Sequence, residues 1–210
     1  MRFVIPQMIK SCHGMFFSDS RIFLPLIFMA IFVWLQGCGD QRLDDYSDQS
    51  FELVNQNGEK IIFPDDFSGS PVVVGFIYTH CPDICSFITS NIKKVYEEGN
   101  HPKGTQFAII TFDPERDTPE VLQNYAYAFE MDREPFQFLT GDPETIDRLM
   151  KRVKVRTSIS DEREVEGGDP IYFLSHSDKI LLIDDRSRLV FDYGGSMTPV
   201  SLIAEDLAEL

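Results

Sequence analysis

Basic residues are scarce in this chain: 19 Lys and Arg stand against 34 Asp and Glu, giving a net charge of −15 and a pI near 4.5. Phosphate neutralisation takes clustered Lys and Arg, so nucleic acid is excluded as a partner. An acidic surface suits a soluble extracytoplasmic domain or one that meets basic partners or cations, and it serves solubility alone equally well. Cysteine is sparse too. Cys12, Cys38, Cys81 and Cys85 are too few for a disulfide scaffold. Internal repeats and low-complexity tracts are lacking, which excludes solenoids and arrays. The chain is not depleted in apolar residues: at 43% hydrophobic with 18 Phe it is globular in composition.

The longest apolar run, Ile22 to Leu35, follows Lys10 and Arg21. It suits the hydrophobic region of a signal peptide and is short for a membrane span of ~20 residues. Leu35-Gln36-Gly37-Cys38 then resembles a bacterial lipobox, with Cys38 the lipidated residue and residues 1–37 the signal. An uncleaved anchor helix is the competing reading. Under both, the basic residues stay inside and the domain is exported, tethered to the membrane of a bacterial cell envelope. Residues 38–50 are polar and acidic and are expected to be a tether, with the folded domain at 51–210.

Along that domain, Phe51–Val54 and Lys60–Phe63 flank Asn57-Gly58, a strong hairpin signal. Val72–Tyr78 is a continuous apolar run, as expected of a central strand covered on both faces. A helix is predicted over Asp83–Glu98, ending near Gly99, and a second buried strand over Thr105–Phe112. A helix capped by Thr118, with Pro119 first, runs to about Met131. A short strand is predicted at Phe136–Leu139, a helix capped by Asp142 over Pro143–Lys151, and a strand over Val153–Ile159. Ser160–Asp169 reads as a charged loop. Ile171–Leu174 leads to His176. Strands at Lys179–Asp184 and Arg188–Tyr193 precede a closing helix capped by Thr198. Strand–helix alternation followed by an antiparallel pair predicts an α/β domain: a mixed central sheet with helices on both faces and an N-terminal hairpin.

The chemistry concentrates at Thr79-His80-Cys81-Pro82-Asp83-Ile84-Cys85-Ser86, where a buried strand ends and a helix begins. Residues four apart share one helix face, so both sulfurs are expected to point at one spot. Backbone N–H groups at a helix N-terminus are expected to lower a thiol's pKa. Two soft sulfurs with the distant His176 form a ligand set that suits copper, with zinc the commoner competitor. A structural disulfide between Cys81 and Cys85 is the plain alternative. His80 reads as tuning or partner contact, because adjacent residues rarely aim at one metal. His101 reads as a solvated loop residue. Asp83 is expected to cap the helix. Asp113, at the end of the second central strand, is a candidate to influence the charge of the site from behind the ligands. Glu115, Arg116 and Asp117 are expected to order their loop through mutual ion pairs. Phe76, Tyr78, Phe107 and Phe112 read as core.

With Tyr78 to Cys85, Phe112-Asp113-Pro114-Glu115-Arg116-Asp117-Thr118-Pro119 and the distal His176, the chain resembles the Sco/SenC family over roughly residues 50–210. These are membrane-tethered, thioredoxin-like copper proteins of cytochrome oxidase assembly. The resemblance implies that Cys81, Cys85 and His176 bind copper, as Cu(I) or Cu(II). It implies delivery of copper to, or reduction of, the copper site of an oxidase subunit, with a copper donor and a thiol reductant as further partners. Cys81 and Cys85 would be a disulfide when oxidised. Two positions depart from the family's pattern: Ser86 where many members have Pro, and Ser175 where many have Asp. The second removes a carboxylate that could orient His176. Other readings are a thiol–disulfide oxidoreductase using Cys81 and Cys85 without obligatory copper, a peroxide-consuming or redox-sensing thiol protein, and an inert structural lipoprotein.

Overall fold

In the computed structural model, residues 42–163 and 171–210 are described. Cys12, Cys38, the Ile22–Leu35 run and most of the acidic Ser160–Asp169 loop lie outside them. The described residues form ten strands and four α-helices. The strands are β1 (Asp44–Asp45), β2 (Phe51–Asn55), β3 (Lys60–Phe63), β4 (Val72–Ile77), β5 (Gln106–Thr111), β6 (Phe136–Thr140), β7 (Thr157–Arg163), β8 (Ile171–His176), β9 (Ile180–Ile183) and β10 (Arg188–Tyr193). The helices are α1 (Ile84–Glu97), α2 (Pro119–Ala128), α3 (Pro143–Arg152) and α4 (Val200–Ala208).

Eight strands form one sheet in the order β1-β10-β9-β4-β5-β6-β2-β3. The β4–β5 and β5–β6 pairs are parallel, as crossovers through α1 and α2 require, and β9 joins β4 antiparallel. Side chains alternate between faces along a strand, so the burial of every residue in β4 and β9 means that both sheet faces are covered there. The core is dominated by Phe76, Phe107, Ile109, Phe138 and Leu182, all fully buried. This is the thioredoxin-like arrangement: a mixed sheet with the cysteine motif at the end of a central parallel strand.

Helix α1 buries Cys85, Ile88, Thr89, Ile92 and Val95, the i, i+3, i+4, i+7 stripe of an amphipathic helix. It crosses β4 at Gly75, where a Cβ would stand 2.4 Å from Ile92 Cδ1 and 3.1 Å from Ile88 Cγ2. Glycine at this point lets the cysteine-bearing helix lie close on the sheet. The helix ends at Glu97, and just beyond it Gly99 has a φ of +67°, a left-handed backbone that glycine adopts without steric cost.

Several boundaries differ from the sequence expectation. The strand expected at Val153–Ile159 begins only at Thr157, because Val153 and Val155 N–H still bond to Leu149 O and Met150 O and Lys154 turns the chain at φ +58°. The expected loop from Ser160 starts as strand, since β7 continues to Arg163 paired with β8. Helix α2 stops at Ala128, where Met131 N–H returns to Ala126 O and Glu130 adopts φ +57°. The Thr118 and Asp142 hydroxyl and carboxylate caps are made as expected, whereas α4 starts after Pro199 with no side-chain cap from Thr198.

The polar stretch expected as tether is partly folded. β1 pairs with β10, and Tyr46 is buried with the Arg152 guanidinium 4.7 Å above its ring centre. Arg152 also bonds both carboxylate oxygens of Asp44, at 3.0 and 3.2 Å. That hydrogen bonding holds the Asp44 carboxyl at about 2, below its ordinary 3.8. A depressed folded pKa stabilises above the unfolded value and fades as pH falls through the folded one. The stability deficit of Asp44→Asn relative to the parent is therefore expected to be full at neutral pH and to close between pH 3.8 and 2. Urea midpoints at pH 7, 3 and 2 read this directly, and a deficit independent of pH would refute it.

Candidate metal centre

β4 delivers the chain to a turn, Tyr78–Asp83, in which Cys81 N–H bonds Tyr78 O at 3.3 Å. Helix α1 begins only at Ile84, so Cys81 lies in the turn and not on the helix. The shared-face account of the two sulfurs is thus replaced by a turn that folds Cys81 back beside the helix's first turn. Asp83 occupies the N-cap position but makes no capping side-chain bond, and its carbonyl accepts from Ser86 Oγ at 3.0 Å.

Cys85 is buried, and Cys81 is half-buried. Both are free thiols. His176 ends β8, a strand of the separate two-stranded sheet β7–β8. Its Nε2 lies 3.4 Å from Cys85 Sγ and 3.9 Å from Cys81 Sγ, and the three ligand atoms all fall within 4.8 Å of one another. Nδ1 is 3.0 Å from the carbonyl oxygen of Ser177. A carbonyl only accepts, so this contact places the proton on Nδ1 and turns the Nε2 lone pair toward the sulfurs. The orienting group that Ser175 cannot supply is provided by the main chain two residues on.

Aromatic rings enclose the imidazole: Phe112 at 4.7 Å and Tyr78 at 5.8 Å between centres. Tyr78 also donates its N–H to Cys85 Sγ at 3.4 Å and accepts Leu174 N–H on its hydroxyl at 3.2 Å. It is core, as expected, and in addition joins the cysteine side to the histidine strand. Burial pushes the Cys85 thiol well above its ordinary value, and this outweighs the Tyr78 N–H that favours the thiolate. The lowering expected from the helix N-terminus is therefore reversed for Cys85. A cavity of about 660 Å³ opens beside His176, lined by Met150, Lys151, Arg156 and Ser175 among others. Neither cysteine lines it, so the cavity exposes the histidine side of the centre.

Other sequence candidates fall elsewhere. His80 is exposed, with Nδ1 3.2 Å from Thr79 Oγ1, and is not in the ligand group. His101 is not simply solvated, for it stacks on Tyr96 at 5.7 Å and meets Phe107 edge-on. Asp113 is buried, but its charge is matched by Arg116 at 2.5 Å and its other oxygen accepts from Tyr172 Oη at 2.8 Å. Burial, then this hydrogen bond, pushes the Tyr172 phenol up to about 12. Asp117 makes no ion pair with Arg116. It is fully buried and accepts from Thr79 N–H at 3.0 Å and from the Thr79 and Thr111 hydroxyls, both at 2.5 Å. Burial pushes its carboxyl up against these three bonds. Sequence reading missed these roles of Thr79, Asp117 and Tyr172, because each depends on a partner far along the chain.

The SCO1/SenC family profile matches residues 39–210. The chain belongs to the SCO1/SenC family. It is 36% identical over 142 residues to a SCO2-like protein of Rickettsia felis, covering 66% of this chain and 64% of that relative. The chain therefore spans somewhat under two thirds of that relative's length. Among solved structures it is similar to a SCO1/SenC family lipoprotein from Bacillus anthracis, with a TM-score of 0.64, 27% identity, and coverage of 80% of this chain and 96% of that one. It is similar also to Bradyrhizobium japonicum ScoI with copper bound, with a TM-score of 0.60, 27% identity, and coverage of 77% and 97%.

The donors of this SCO1/SenC chain fit a soft ion. Two sulfurs and one imidazole offer three ligands, with no carboxylate in the group. Thiolates select Cu(I) and zinc over hard cations, and three-fold coordination is low enough for Cu(I). The burial that disfavours a bare Cys85 thiolate favours metal on it, because a bound cation supplies the missing opposite charge.

Proposed function

We propose that this protein binds one copper ion through Cys81, Cys85 and His176 and passes it to, or reduces, the copper site of a cytochrome c oxidase subunit during assembly. The observation that carries the reading is the convergence of two free thiols and an Nδ1-protonated imidazole within 4.8 Å, beside a solvent-facing cavity. Copper bound to a similar protein, ScoI, supports the choice of metal. A half-buried Cys81 and an open flank at His176 suit an ion that is cargo, since an acceptor's sulfur or imidazole can displace one ligand at a time. Copper donor and reductant remain partners by chemistry only: a soft-ligand carrier and a dithiol.

Tethering to the outer face of a bacterial membrane, through a lipid on Cys38 or through an uncleaved helix, is part of the proposal. The Bacillus anthracis relative is named a lipoprotein, and this supports it. Among the described residues no helix is long and apolar enough to cross a membrane.

A second reading rests on the unequal exposure of the thiols. Cys81 would attack a partner disulfide as thiolate, releasing one partner thiol and forming a mixed disulfide. Cys85 would then displace the second thiol, leaving the partner reduced by two electrons and Cys81–Cys85 oxidised. An external dithiol would restore the pair. This reaction does not need His176.

The test is copper stoichiometry of the reduced full chain in detergent. One Cu(I) per chain is expected, falling below stoichiometric in Cys81→Ser, Cys85→Ser and His176→Ala. No copper in the parent, or an unchanged ratio in all three variants, would sink the copper reading. Full disulfide-reducing activity in His176→Ala would then favour the second.

A further inference from the structure

We infer that the Asp113–Asp117 loop, which supplies no ligand, is the positioning device that sets His176 against the two cysteines. The inference rests on the three-residue centre described above and deepens it. The loop grips both halves of the site at once. Toward the cysteines, Asp117 takes two hydrogen bonds from Thr79, two residues before Cys81, and is anchored below by Thr111 at the end of β5. Toward the histidine, Arg116 donates Nη1–H to Tyr172 O at 2.9 Å, and its guanidinium lies 3.6 Å from the centre of the Tyr172 ring. Asp113 completes this grip, bonding Arg116 Nε at 2.6 Å and accepting the Tyr172 hydroxyl at 2.8 Å.

Tyr172 sits in β8, four residues before His176. The β7–β8 pair is no part of the eight-stranded sheet, and β7 is exposed along its whole length. The main sheet's ladder therefore does not fix where His176 stands. Its place is set by the Phe112 and Tyr78 rings, Tyr78 through Leu174, the bonds between Arg156 and Ser177, and the Arg116–Asp113–Tyr172 cluster. Of these, only the cluster belongs to the loop that also holds the cysteine turn. The loop therefore contacts both halves, adding a second link to the direct one made by Tyr78. Arginine suits the task because its planar fork pairs with a carboxylate and a carbonyl while stacking on a ring. A lysine has the charge but neither the fork nor the plane.

The experiment uses the reduced full chain, labelled at its four histidines, in parent, Arg116→Gln, Arg116→Lys and Tyr172→Phe forms. In metal-free protein the His176 ring resonances are expected to be displaced by the Tyr78 and Phe112 rings. In Arg116→Gln this displacement should fall by at least half toward the shifts of exposed His80, and Arg116→Lys should not restore it. Tyr172→Phe should fall between parent and Arg116→Gln. His101, packed on Tyr96 and Phe107, is the internal control and should not move. Cu(I) affinity, measured against a competing chelator, is expected to fall about tenfold or more in Arg116→Gln, in the range for groups that orient ligands. Parent-like His176 shifts in Arg116→Gln would overturn the inference. A parent that binds no Cu(I) but shows the histidine shifts would leave the positioning intact and remove the copper reading instead. Should Arg116→Gln fail to fold, Tyr172→Phe decides by the same shifts, and a parent-like result there overturns the inference.

Discussion

A His176→Ala chain is expected to lose more than ~100-fold in Cu(I) affinity, beyond the 10–100-fold typical of groups that only orient ligands. Cys81 and Cys85 alone offer two donors, and the imidazole Nε2, 3.4 and 3.9 Å from their sulfurs, is the only third donor in the group among the described residues. Alanine removes it and leaves a void between the Phe112 and Tyr78 rings that neither His80 nor a carboxylate is placed to fill. His80→Ala is the matched control, since that ring meets Thr79 and solvent, and it should keep the parent affinity. Competition with a Cu(I)-specific chelator measures both. Equal loss in the two variants would mean that His80 reaches the ion and that the centre is built differently.

The second large effect is an asymmetry between the thiols. In the reduced, metal-free chain, Cys81 is expected to be alkylated by iodoacetamide at least about tenfold faster than Cys85 at pH 7.5. Two causes act in the same direction: Cys85 is buried, and that burial pushes its thiol above the ordinary 9.0, which starves it of thiolate. A thiol whose folded pKa is raised costs nothing below the unfolded value and weakens the fold as pH rises above it, so Cys85 contributes to alkaline destabilisation starting near pH 9. Cys85→Ala should delay that loss. Peptide mapping after timed alkylation reads the rates, and equal labelling of the two cysteines would refute the burial argument.

Much of the fold was legible because local patterns agree with it. The Val72–Ile77 run is a strand buried on both faces, and Gly58 at φ +81° turns the β2–β3 hairpin. Thr118 and Asp142 cap the helices that follow them. Legibility failed where a local pattern had two causes. The alternation at Val153 and Val155 marks two side chains buried at the end of a helix, not a strand. The charged residues of β7 hid a strand that has no buried face to impose alternation. At the site, residue identity was legible and geometry was not. Nothing local reveals that Pro82 and the turn from Tyr78 keep Cys81 off the helix. Nothing local assigns Asp117 to Thr79, 38 residues earlier, in place of its neighbour Arg116.

The ligands also belong to parts of the molecule that are expected to resist opening very differently. Cys85 is buried in the first turn of α1, which packs on β4, and β4 is paired on both sides and is expected to exchange with solvent deuterium only on near-global unfolding. His176 rides on a two-stranded flap whose β7 strand is exposed along its whole length, and its amides are expected to exchange by a smaller excursion. Parting imidazole from sulfur would break the Tyr78–Leu174 and Arg116–Tyr172 bonds but no rung of the main sheet, so the half of the site that carries Cys85 would stay folded. Under the proposed copper transfer, an acceptor would meet a donor that lets go without coming undone.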